Sequence, residues 1–181
     1  MDAWMHIGGC GALTACDFCI QQALHAGKAG LVPAGAVPAT RREYTRFGMI
    51  MKPYLRPRMS GIDRTEIWID GFQKYLDDAG ETGYEMDSLE GGRPWQEAAA
   101  AIRDRIAAGI PVPILTLKHR DPALKDFEWH WYPAVGFEGE GEDFVIKVAT
   151  YGEAHWLHFR NLWETGYAEK GGIVLIRRKG E

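Results

Sequence analysis

A chain of 181 residues with 46% hydrophobic side chains has the length and apolar content to bury a core, which excludes a disordered protein. Its net charge of -4 is accompanied only by local basic pairs, Arg41-Arg42 and Arg56-Pro57-Arg58, which read as solvated surface and not as a nucleic-acid footprint. No apolar stretch reaches the length of a membrane span, and no basic start leads into an apolar segment. Neither a membrane partner nor a secretory signal is expected, and a cytoplasmic location is. One domain over 1–181 fits this length. The three cysteines, at 10, 16 and 19, are too few and too odd in number for a disulfide scaffold, so reduced thiols are expected.

In chain order, the first clear helical pattern runs over 10–26 and ends at Gly27 and Gly30. At 100° per residue, Leu13, Cys16, Ile20 and Leu24 share one stripe, with Ala12, Cys19 and Ala23 beside it. Cys10, Thr14, Asp17 and Gln21 form a different face. The stretch 31–40, with Pro33, Gly35 and Pro38, reads as a loop. A second helix is predicted over 42–54, broken by Pro53 and Pro57. Asp63-Arg64-Thr65-Glu66 has the spacing of a capping box with Asp63 at the cap, opening a helix through Asp78 that Gly80 closes.

A short strand follows over 84–89. Pro94 then starts a helix in which Trp95, Ala98, Ala99, Ile102 and Ile106 share a face, ending at Gly109. Beyond Gly109 the periodicity changes to that of strands: 112–118, 128–137, 144–148 after a Gly-Glu-Gly-Glu turn, 155–159 and 173–177. A helical turn is predicted over 161–165. Helices first and a meander of strands afterwards indicate an α+β fold with N-terminal helices packed on a C-terminal antiparallel sheet.

The chemistry-bearing residue in this layout is Cys10, in Gly8-Gly9-Cys10-Gly11-Ala12, where a glycine-flanked turn runs into the first long helix. A thiol at a helix N-terminus feels the positive end of the helix dipole, which favours the nucleophilic thiolate. Much later, His130 stands on a strand in Trp129-His130-Trp131-Tyr132-Pro133-Ala134-Val135-Gly136-Phe137. Alternation puts His130, Tyr132, Ala134 and Gly136 on one face, whose small residues would let the Cys10 helix approach. A Cys and a distant His brought together point to nucleophilic catalysis.

The segment Gly9-Cys10-Gly11-Ala12, Gly109-Ile110-Pro111-Val112-Pro113, and His130 on a strand ending Val135-Gly136-Phe137 together resemble papain-like cysteine peptidases. In style they are closest to bacterial relatives that process double-glycine leaders. That resemblance implies the papain-like fold and a peptide or small amide substrate. It makes Cys10 the nucleophile and His130 the base, with no metal or other cofactor. It also exposes two departures. The family's Gln, about six residues before the nucleophile, is replaced here by Trp4, leaving the Cys10 backbone N–H and His6 as oxyanion donors. Its His-orienting Asn or Asp maps onto Val148-Ala149-Thr150-Tyr151-Gly152, where Ala149 cannot orient the ring and Thr150 is the weak candidate for that part. An acyltransferase or amidase on the same frame, or a binding module that has lost catalysis, follows as an alternative.

Other features have plainer expectations. Cys16-Asp17-Phe18-Cys19 has a redox or metal spacing, but it lies inside a helix and reads as core. His119 is expected in a loop, as a reserve base, and 121–128 as a rim or lid over the cleft.

Overall fold

The computed structural model describes residues 2–37, 40–59 and 61–180. Part of the loop expected at 31–40, at 38 and 39, lies outside the described residues. A short helix, α1 (Ala3–Gly8), leads into the long α2 (Cys10–His25), then α3 (Arg41–Met51) and α4 (Thr65–Asp78). Strand β1 (Tyr84–Glu90) precedes α5 (Trp95–Ala107). Strands β2 (Val112–Thr116), β3 (His130–Glu138), β4 (Val145–Thr150) and β5 (Glu153–His158) follow, then α6 (Phe159–Trp163) and β6 (Gly172–Arg178). The strands form one six-stranded sheet in the order β1-β6-β2-β3-β4-β5, with every pair antiparallel. The α+β class with an antiparallel sheet is therefore correct.

Its layering differs from the expectation. Both faces of the sheet are covered. Leu115, Leu117, Trp131, Val174 and Ile176 join a core with α2, α3 and α4, built around Phe18, Phe47, Trp68 and Phe72. Val112, Ile114, Tyr132, Ala134, Ile146, Val148, Ile173 and Leu175 face the other way, onto α5 and α6 through Ala98, Ile102, Phe159 and Leu162. Burial on both faces explains why β2 is buried throughout and lacks the polar alternation of a one-sided strand.

The Cys10 helix accordingly does not use the Tyr132–Ala134 face of β3. It packs on the face that presents Trp131, whose indole lies against Gly11 of α2, where a Cβ would come within 3.6 Å of it. Trp68 stacks on Trp131 at 5.6 Å between centroids, and the Trp131 Nε1–H donates to the Ile62 carbonyl at 2.6 Å.

Two helix starts also move. The capping box is at Thr40, whose side chain accepts from the Glu43 N–H while Glu43 accepts from the Thr40 N–H. That fixes α3 at Arg41, one residue before the expected start. Asp63 caps nothing: α4 begins at Thr65 with Arg64 at its cap position and no side-chain cap bond. The Thr65 hydroxyl instead donates to Glu90 at the end of β1, at 2.8 Å, tying the helix to the sheet. At the far end of the sheet, β5 and α6 each start two residues earlier than predicted. Among the described residues, no helix is long and apolar enough to cross a membrane.

Candidate functional site

Cys10 owes its place to the glycines around it. Helix α1, which the sequence pattern did not reveal, is capped by the Asp2 carboxylate accepting from the Met5 N–H at 3.1 Å. Gly9 joins α1 to α2 in helical conformation. A Cβ at Gly9 would fall 2.4 Å from the Met5 carbonyl oxygen, and one at Gly8 would fall 2.7 Å from the Arg58 carbonyl oxygen. Neither position has room for a side chain. The Gly11 carbonyl accepts from Trp68 Nε1–H at 2.9 Å, which anchors the first turn of α2 to α4. Cys10 is left half-buried as the first residue of α2, while Cys16 and Cys19 are fully buried core residues, as their helical face predicts.

His130 opens β3 directly after Trp129, which takes a left-handed φ of 51° and donates its N–H to the Leu117 carbonyl at 2.8 Å. The imidazole is held on two sides. Its Nε2 lies 2.6 Å from Thr150 Oγ1, and its ring stacks on Tyr151 at 4.7 Å with an interplanar angle of 6°. Thr150 and Glu153 pair across a two-residue hairpin formed by Tyr151 and Gly152. Both central residues have positive φ, 52° and 79°, the geometry of a type I′ turn. Glycine suits that turn and tyrosine does not, so Tyr151 carries backbone strain while its ring covers the histidine. The Tyr151 hydroxyl donates to the Asp126 carbonyl at 3.2 Å.

The structure places Cys10, His130 and Thr150 along one cleft of about 880 Å³, between the start of α2, α3 and the β4–β5 hairpin. His6 of α1 also lines it. Trp4 does not: it is 49% exposed and faces a separate surface groove with Lys52, Pro53, Arg56 and Pro57. No hydrogen bond joins the Cys10 sulfur to the His130 ring.

The electrostatics run against the thiolate expected at a helix start. Burial pushes the Cys10 thiol up, and the backbone N–H groups of Trp131, Gly11 and Cys10 itself offset only part of that. Burial also pushes His130 down to about 4. The resting cleft therefore holds a neutral thiol and a neutral imidazole, because desolvation outweighs the helix dipole.

The reserve assignments resolve differently. His119 is buried outside the cleft, with Nδ1 accepting from the Asp121 N–H at 2.9 Å. Its Nε2 must then be the protonated nitrogen, donating to the Asn161 carbonyl at 2.8 Å. Both ring nitrogens are occupied, so it serves as a structural tie and not as a base. The segment expected as a rim or lid is a 3₁₀ helix, Pro122–Phe127, pinned by buried Leu124 and Phe127. Of the described residues in 121–128, Glu128 lines the cleft and Trp129 follows it there, so the stretch forms a rim.

Asp17, two turns along α2 from Cys10, also lines the cleft. The wheel put it on the Cys10 face, but its importance depends on α3, whose Tyr44 hydroxyl donates to Asp17 Oδ1 at 2.8 Å. Burial pushes the Asp17 carboxyl up to about 6 from 3.8, with the Tyr44 bond opposing the shift. Between those values the folded state holds more protons than the unfolded chain. Stability is therefore lost as pH rises from about 4 to about 6, and the cost is complete above that. Asp17→Asn is expected to stabilise the protein at pH 7 by about 2–3 kcal/mol, with the gain shrinking to nothing near pH 4. Urea unfolding of both proteins across that range checks it.

Compared with models of protein families, with curated proteins and with solved structures, the chain matches none.

Proposed function

We propose that this protein is a papain-like cysteine hydrolase that cleaves peptide or amide bonds with Cys10 as nucleophile. The observation that carries the reading is the pairing of His130 Nε2 with Thr150 beside Cys10 in one cleft. With Nε2–H donating to Thr150, Nδ1 keeps the lone pair that a general base needs. Thr150 then takes the orienting part expected of it, and Tyr151 stacks on the ring.

In the proposed reaction Cys10 Sγ attacks the carbonyl carbon, and its proton passes to His130. The imidazolium protonates the leaving amine as the carbon–nitrogen bond breaks. Water, deprotonated by His130, then releases the acyl group and regenerates the thiol. The Cys10 backbone N–H and His6 are the donors available to the developing oxyanion.

A base pushed down to about 4 is about 300-fold weaker than an ordinary imidazole. That observation favours a second reading, a binding module that keeps the cleft without turnover. Assays on fluorogenic peptide amides separate the two. Turnover that disappears in Cys10→Ala, with the fold unchanged by circular dichroism, supports the hydrolase. Turnover that survives Cys10→Ala overturns it, and no turnover on any amide favours the binding module.

A further inference from the structure

Beyond Cys10 and His130, the cleft continues along α2 to a carboxylate that the proposed reaction does not use. Asp17 Oδ1 accepts from Tyr44, while Oδ2 has no partner among the described residues. Among the described residues that line the cleft there is no Lys or Arg, whereas Asp17, Glu128 and Glu153 are all there. Glu128 is already engaged, accepting from the His119 N–H at 2.7 Å, which leaves half-buried Asp17 as the acceptor whose second oxygen is open to the cleft. A ligand cation entering the cleft would meet that carboxylate in a partly desolvated place, where an ion pair is stronger than on an open surface.

We propose that Asp17 and Tyr44 form a recognition subsite for a positively charged group, a primary amine or guanidinium, carried by the molecule that occupies this cleft. Seven residues of helix separate Asp17 from Cys10, a rise of about 10 Å on one face. That span equals about three residues of extended peptide, so the charge would sit about three residues from the bond that Cys10 attacks. The inference deepens the hydrolase reading by naming its substrate class. The subsite itself would serve a binding module equally well.

Charge at Asp17 is set by groups on each side of it. Tyr44 faces it from α3, Cys16 and Cys19 couple to it from its own helix, and His6, His130 and Glu153 stand elsewhere in the cleft wall. With burial holding the carboxyl near 6, the subsite should be charged at pH 8 and neutral at pH 5.

Cys10 provides a reporter that needs no turnover, since it is half-buried while the other two thiols are fully buried. Three iodoacetamides with six-carbon tails ending in an amine, a methyl or a carboxylate would be compared on the whole protein at pH 8. The amine probe is expected to alkylate Cys10 at least about tenfold faster than the carboxylate probe, the size of one favourable charge contact. Asp17→Asn should lower that ratio several-fold, each charged-probe rate being taken relative to the methyl-probe rate of the same protein. In the wild type the ratio should also fall between pH 8 and pH 5, a comparison that needs no variant. Equal rates for the two charged probes in the wild type, or a ratio that Asp17→Asn leaves intact, would overturn the subsite. Because the ratio does not depend on His130, its failure is distinct from a failure of the hydrolase reading, which appears as absent turnover.

Discussion

Trp131→Ala is expected to cost about 3–5 kcal/mol in urea unfolding, the range for deleting a fully buried large aromatic side chain. Trp131 is 2% exposed, stacks on Trp68 and packs against Gly11 at the base of the Cys10 helix. Its loss also strips the Ile62 carbonyl of its donor, an added penalty of the kind that buried unpaired acceptors carry. Trp129→Ala offers the contrast. That side chain is 44% exposed, so its removal should change stability by less than about 1 kcal/mol while reshaping the cleft wall. Two tryptophans flanking one histidine thus differ because one points into the core and the other into the cleft. Equal costs for the two would contradict the register of β3.

The second large effect is expected at His130. Its replacement by Ala should lower the rate of amide hydrolysis by at least about 100-fold, the lower end of what a positioned general base contributes. Thr150→Val, which removes the hydroxyl and keeps the shape, should lower it by about tenfold through the ring's orientation. Thr150→Asn should recover part of that loss, because an amide oxygen can accept from Nε2–H in the same place. Rates equal to wild type in His130→Ala would remove the imidazole from the mechanism. The split between KM and kcat in Thr150→Val checks its role: a positioning residue lowers kcat with little change in KM.

The helical period of α2 was strong enough in the sequence to separate Cys10 from Cys16 and Cys19. Thr150 was named only through the resemblance to papain-like peptidases, and its hydroxyl does lie beside His130 Nε2. The glycines around Cys10 read in the sequence as a turn; the close approach they permit, to Met5 and Arg58, involves segments with no readable period. Helix α1 was not legible because six residues are too short to show amphipathic spacing.

Asp63 has the local pattern of a cap but does not act as one, for a tertiary reason. Asp63 and Thr40 both stand three residues before a Glu, but Thr65 is held by Glu90 of β1, which no local pattern encodes. The thiolate at Cys10 failed likewise. A helix dipole is visible in sequence, whereas the desolvation that overrides it depends on what covers the site. Tyr151 over the imidazole and Tyr44 against Asp17 are contacts of the same kind, each made by an element distant in sequence or by an unusual turn.

Joint action of Cys10 and His130 on an acyl group is read from the intact mass of the protein mixed with p-nitrophenyl acetate. One acetyl group is expected to form on Cys10 and then to be hydrolysed. His130→Ala should prolong the lifetime of that acetyl group by at least about 100-fold. No acetyl group on Cys10, or a lifetime that His130→Ala leaves unchanged, would contradict that joint action.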